Sequence, residues 1–448
     1  MKQIRLASIA TLLALVGCKT AYDVTTPSKG PNNLDVSKYV AIGNSLTAGY
    51  ADGALYRSGQ ENSYPKRLAE QFALIGGGEF KQPLMQSENG IGISGVNLVN
   101  KLSLKPATNC LGVTSLAPGT GLAAASDLAD LANIGSQGPF NSIAVPGVKA
   151  LEILSPQLGN PANGPGRYNP YYTRFAATPG VSSMIGEAAA QKPTFVSIWA
   201  ANNDVLGYAT GGGAGAVDSV TTPANVGFAI STMIASFKAA NANVKGVIIN
   251  VPDITSIPYF TTVPFNGLVI DEASATALSA AYKALGITFK AGANGFIIAD
   301  SKAPGGLRQI KSTELVLLTV PQDSIRCKGW GSQKPIPAKF ILDEAEIAKV
   351  QNAVVAYNAS MRSLAETNGF AYVDMNAKLV ELKKGLVING VNYSATFVSG
   401  NSFSLDGVHL TAQGYAIVAN YIIEAINAKY GSTIPTVNPT KYPGVTLP

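Results

Sequence analysis

Short apolar runs of strand length alternate along this chain with amphipathic stretches of helical period, and no other feature constrains the fold as much. Residues 39–43 read as a buried strand, and residues 62–72, with Leu68 and Phe72 four apart, read as a helix. A second unit follows: a strand at 194–199, a helical Val226, Ile230, Ile234, Phe237 pattern, then a strand at 244–250. From Asp343 the positions Ile347, Val350, Val354, Tyr357, Met361 and Leu364 form a stripe that stops at Asn368-Gly369, and a strand at 370–373 comes straight after. Tyr415, Val418, Ala419, Ile422 and Ile426 line a last helix, with Thr411 as its N-cap. The pattern predicts an α/β three-layer sandwich around a mostly parallel central sheet, with any ligand site in the loops beyond the carboxyl ends of its strands.

Four such loops carry candidate chemistry. Gly43-Asn44-Ser45-Leu46-Thr47 places a serine directly after the first strand, among small neighbours that leave its hydroxyl accessible. Asp406-Gly407-Val408-His409 sets an acid three residues before the only histidine of the chain. At that spacing the carboxylate can fold back onto Nδ1, which fixes the tautomer and turns Nε2 toward a nucleophile. Ala201-Asn202-Asn203-Asp204 follows a strand and offers an amide to a developing oxyanion, and Gly147 offers an N–H at close range. Each loop by itself also reads as an ordinary turn or cap.

Together, in this order, the four loops resemble the blocks of the SGNH or GDSL family of serine esterases and lipases. The resemblance implies a flavodoxin-like sheet and ester hydrolysis, with Ser45 as nucleophile, His409 as base and Asp406 as its orienter. It also implies an oxyanion hole made by the Ser45 N–H, the Gly147 N–H and the Asn203 amide. Two positions depart from the family pattern: Asn44 stands where the family has Asp, and Ala201 where it has Gly, so that a methyl group there is expected to narrow the pocket. The hydrolase domain is expected over 37–430, with insertions at about 76–140 and 255–342, and a loosely packed Pro-rich tail over 431–448. The other class considered is a non-catalytic relative that binds glycan or lipid on the same fold.

The amino-terminal residues bear on location. Lys2 and Arg5 precede an apolar run over 6–16 that is too short to span a bilayer, the layout of a secretory signal over 1–17. Its end, Leu15-Val16-Gly17-Cys18, resembles the lipobox of bacterial lipoproteins, which implies acylation of Cys18 and a membrane partner reached through that anchor. Lys19 favours the outer membrane of the cell envelope by the same resemblance. Residues 18–36, rich in Thr, Ser, Pro and Asn, read as a flexible tether. Cys110 and Cys327, one in each expected insertion, are then the remaining thiols, and thiols in an oxidising compartment pair.

A charge of +6 spread over 448 residues is no nucleic-acid footprint. One histidine and two spare cysteines do not make a zinc site, so neither metal nor organic cofactor is expected. The expected partner is an ester, either an acyl lipid or an acylated glycan. Because residues 76–140 show no sustained amphipathic lid helix, short or medium acyl chains are expected.

Overall fold

The computed structural model describes residues 26–448, Val96 apart. Five strands form the central sheet: β1 (Tyr39–Gly43), β2 (Ser142–Ala144), β3 (Phe195–Trp199), β4 (Lys245–Ile249) and β5 (Ala371–Val373). They lie in the order β5-β4-β3-β1-β2, every pair parallel. Val40, Ile42, Phe195, Ile198, Val247 and Ile248 are fully buried, as strands covered on both faces require.

The covering helices are those their apolar stripes call for. α1 (Ser45–Ala48) is a single turn after β1, and α2 (Tyr64–Ala73) packs with α7 (Ala412–Tyr430) on one face of the sheet. On the other face α4 (Pro223–Ala240) packs against α5 (Glu344–Asn368), while α3 (Asn203–Thr210) follows β3 and α6 (Met375–Lys384) follows β5. α5 starts on a capping box in which Asp343 and Glu346 each accept the other's backbone N–H, and it stops at Gly369 in the left-handed conformation. Thr411 caps α7 through the Gly414 N–H. The result is the expected three-layer α/β sandwich.

Register decides where the site can form. Gly43 at the end of β1 lies level with Ala144 of β2 on one side and Trp199 of β3 on the other. The three loops that follow therefore leave the sheet at one edge, where the connection from β1 to β2 departs in the opposite direction from those that build β3 to β5. A side chain at position 43 would press against the Trp199 carbonyl at 2.3 Å, so this edge is closed by a glycine.

The insertions have structure of their own. Residues 103–119 form an exposed hairpin of Ser103–Thr108 with Thr114–Gly119. Residues 255–342 enclose a second small core around Phe296, Ile298, Ile310, Val316 and Ile336, braced by Arg308 between Asp300 and Glu314. Cys110, at the turn of the hairpin, is disulfide-bonded to Cys327 of the second insertion. Among the described residues no helix is long and apolar enough to cross a membrane.

Two boundary readings change. Leu34 and Val36, assigned by composition to the tether, are buried in the main core. The tail is not loose: Ile434 and Val437 are buried, because Asn427 and Asn420 on α7 pair with the backbone of those two tail residues. Polar composition hid both, since side-chain amides can satisfy an irregular backbone as a sheet would.

The disulfide closes a separation of 217 residues. On the chain-entropy account this removes about 5 kcal/mol of freedom from the unfolded state, less any strain in the fold. Alkylation of the denatured, unreduced protein followed by peptide mapping should leave Cys110 and Cys327 unlabelled until reductant is added; labelling of both beforehand would refute the bridge.

Candidate active site

Ser45 stands at the first position of α1 because Asn44 caps that turn. The Asn44 Oδ1 accepts the Leu46 N–H at 3.0 Å while its Nδ2 donates to Asn202 Oδ1 at 2.8 Å. A neutral amide in place of the family's Asp thus ties the β1 loop to the β3 loop by a hydrogen bond between uncharged partners. The Ser45 Oγ lies 2.8 Å from His409 Nε2, and His409 Nδ1 lies 2.8 Å from Asp406 Oδ2. An ionised carboxylate is acceptor-only, so Nδ1 carries the proton and Nε2 is left to accept from the serine hydroxyl.

The loop holding Asp406 and His409 is closed on itself. Phe403 and Leu410 bridge at its neck, the Ser404 N–H donates to the His409 carbonyl at 2.8 Å, and Gly407 turns in the left-handed region at φ 71°. Asp406 Oδ1 accepts from the Val408 and His409 N–H groups and from the Ser404 hydroxyl, and Oδ2 accepts from the Gly53 N–H as well as from the imidazole. Burial alone would raise the pKa of this carboxyl. The positive charge available on His409 and the hydrogen bonds outweigh it and hold Asp406 well below the usual carboxylate range. The Tyr50 ring covers the imidazole with centroids 4.7 Å apart.

The Gly53 contact was not anticipated from the sequence. Ala51-Asp52-Gly53-Ala54 is a two-residue turn with Asp52 at φ 52° and Gly53 at φ 72°, the Asp-Gly signature of a tight hairpin. Asp52 also accepts the Leu405 N–H at 3.0 Å and the Tyr56 hydroxyl at 2.9 Å, and its own N–H donates to Ser404 Oγ. Burial pushes the Asp52 carboxyl upward. The Asp-Gly pair was a readable signal for the turn, but nothing local says what the turn clasps.

Gly147 lies exposed after β2 with φ 80°, a conformation that suits glycine, and a side chain there would meet only open space. Asn203, at the start of α3, donates one amide N–H to the Val148 carbonyl at 2.9 Å, which leaves the second for the cleft that it lines. Asp204 accepts the Ala150 N–H at 2.9 Å, so the β3 loop fixes the Gly147 loop at two points. Asn202, passed over in the sequence in favour of Asn203, lines the same cleft.

Ala201 corrects an expectation. It is fully buried and its methyl is not part of the cleft wall, so it does not narrow the pocket. The backbone at Ala201 is left-handed, φ 73°, and the departure from Gly is met as strain in the turn.

Ser45, His409, Asn202 and Asn203 meet at one cleft. Cys18 lies outside the described residues, and Cys110 and Cys327 do not line the cleft. Among the described residues no cluster of three or more His, Cys, Asp or Glu could hold a metal ion.

A sequence model of the GDSL-like Lipase/Acylhydrolase family matches residues 39–422. No curated protein matches the chain. A solved chain from Parabacteroides merdae, provisionally assigned as a GDSL-like lipase, aligns at 12% identity over 88% of this chain and 98% of that one, with a TM-score of 0.33.

Ala201→Gly should stabilise the fold by about 0.5–1 kcal/mol, because relief of a left-handed alanine outweighs the extra freedom glycine gives the unfolded chain. Urea unfolding of the two proteins measures this. A destabilised variant would show that the methyl packs better than the strain costs.

Proposed function

Because this chain belongs to the GDSL-like lipase/acylhydrolase family, whose name describes cleavage of acyl esters, we propose that it is a serine ester hydrolase working through Ser45, His409 and Asp406. The observation that carries the reading is the unbroken hydrogen-bonded line from Ser45 Oγ through both imidazole nitrogens to a largely covered carboxylate, placed at the carboxyl edge of a parallel sheet.

His409 takes the Ser45 proton as Oγ adds to the ester carbonyl carbon. The carbonyl oxygen becomes an oxyanion held by the Ser45 and Gly147 N–H groups and by the free N–H of the Asn203 amide, donors worth roughly 10²–10³ in rate each where one is removed. The imidazolium then protonates the departing alcohol, leaving an acyl-serine. Water repeats the cycle: His409 removes its proton, the hydroxide adds to the acyl carbon, and Ser45 leaves with its proton restored.

Location is part of the same proposal. The cationic, apolar and small-residue succession that ends in Cys18 supports an envelope lipoprotein, anchored by acyl chains on that thiol and facing an oxidising compartment. Cys18→Ser should end incorporation of labelled palmitate in cells, and continued labelling would place any lipid elsewhere.

Ser45→Ala should lower ester turnover on the order of 10³-fold or more while leaving the fold intact. The pH profile supplies an independent check. Asp406 has a lower pKa folded than unfolded, so its contribution to stability is present above the ordinary carboxylate range and is lost only as pH falls through its depressed value. Asp406 therefore stays ionised through the mildly acidic range, well below the ordinary carboxylate range. The acidic limb of kcat/KM should accordingly fall tenfold per pH unit, with one proton involved. A slope of two, or full activity in Ser45→Ala, would defeat the assignment.

A further inference from the structure

The side-chain amides beside Ser45 are oriented one after another from a single backbone group. The Leu46 N–H donates to Asn44 Oδ1 at 3.0 Å, so the other side of that amide is its NH2, which donates to Asn202 Oδ1 at 2.8 Å. Turning either amide over would set two donors against each other, N–H on NH2 in the first case and NH2 on NH2 in the second. Asn202 is thereby held with its own Nδ2 directed away from Asn44.

No protein group takes the hydrogens of that nitrogen. Among the described residues Asn202 Nδ2 donates to no acceptor, in contrast to Asn203, whose amide is spent in part on the Val148 carbonyl. Nor is the nitrogen sealed: the side-chain atoms buried without a partner among the described residues are Arg67 Nε, Asp204 Oδ1, Tyr393 Oη and Gln413 Oε1. Asn202 is only 5% exposed, and it borders the cleft together with Ser45. A nearly buried amide that keeps both donor hydrogens unused is arranged for an acceptor that arrives from outside the chain.

A count of lone pairs narrows what that acceptor is. On the ester-hydrolase reading above, on which this step rests, the three lone pairs of the oxyanion are taken by the Ser45 N–H, the Gly147 N–H and the Asn203 amide. Asn202 Nδ2 is then left for a different oxygen. Its partner Asn44 directly precedes Ser45, with Cα atoms about 3.8 Å apart, so that oxygen lies on the part of the substrate next to the scissile bond. We propose that Asn202 is a specificity-determining residue that donates from Nδ2 to a second substrate oxygen, an ether, hydroxyl or carbonyl on the carbon chain beside the ester. Such an oxygen can sit on the acyl or on the alcohol side, and the same donor serves either.

The residue at position 44 sets the sign of this contact. With Asp there, one carboxylate oxygen would still accept from Leu46 while the other would need a donor, and the Asn202 amide would turn over to supply it. Asn44→Asp therefore changes the atom that Asn202 presents to the cleft from a donor to an acceptor.

Two pairs of esters, each with an ether oxygen in place of one methylene, separate the sources. The acyl side is read by p-nitrophenyl methoxyacetate against p-nitrophenyl butanoate, and the alcohol side by 2-methoxyethyl acetate against butyl acetate. An ether oxygen accepts and cannot donate, so it reports a protein donor. Comparing the kcat/KM ratio of a pair between wild type and variant cancels the intrinsic reactivity of the two esters. In one of the pairs the ether-to-hydrocarbon ratio should fall at least threefold in Asn202→Ala and in Asn44→Asp, a neutral hydrogen bond being worth roughly three- to tenfold. Should Asn202→Ala not fold, Asn202→Asp keeps an acceptor for the Asn44 amide and turns an acceptor oxygen to the cleft, with the same fall expected.

Ser45→Ala run alongside keeps the two readings apart. If it is inactive while either variant leaves both ratios within threefold of wild type, the donor role of Asn202 is overturned and the hydrolase reading stands. If Ser45→Ala retains turnover, the hydrolase reading itself falls.

Discussion

The site depends on one carboxylate held largely out of water. Asp406 accepts hydrogen bonds from the Val408, His409 and Gly53 backbones, the Ser404 hydroxyl and the His409 ring. An ionised carboxyl removed from water with partners missing would be far too costly to keep, and full coordination is what makes the charge tolerable. The same bonds that satisfy it fix the loop around it. Once Asp406 is satisfied, the imidazole has one tautomer and one orientation, and Nε2 faces Ser45. Gly53 is 353 residues distant in sequence, so the carboxylate is complete only when the first and last parts of the sheet domain have come together.

What was legible in the sequence were the features whose physics is local. β1 is a continuous apolar run, and β3 one broken only by Ser197, because both faces of a parallel sheet are covered, and α5 announces itself by its capping box and its Gly369 stop. The acid three residues before His409 was readable because a loop of that length returns its own carboxylate to its own ring. Features that depend on what lies across space were not. The Asp52-Gly53 turn could be read as a turn, yet its N–H on Asp406 could not. Ala201 illustrates a subtler limit: the departure from glycine was visible, and only the backbone angle reveals that its effect falls on the turn rather than on the pocket.

The insertions are joined to the site rather than appended to the fold. Tyr259 donates its backbone N–H to the Gly407 carbonyl at 2.9 Å, and Leu318, held by the Tyr259 carbonyl, packs where a side chain on Gly407 would otherwise lie. Gly407 is thereby required twice, once for its left-handed turn and once for the closeness of that packing. The second insertion thus braces the outer side of the Asp406–His409 loop while the Asp52-Gly53 turn holds it from the β1 side. Ile254 and Ile257, which lead into that insertion, also face the cleft beside Ser45. A single segment therefore both braces the histidine loop and walls the cleft.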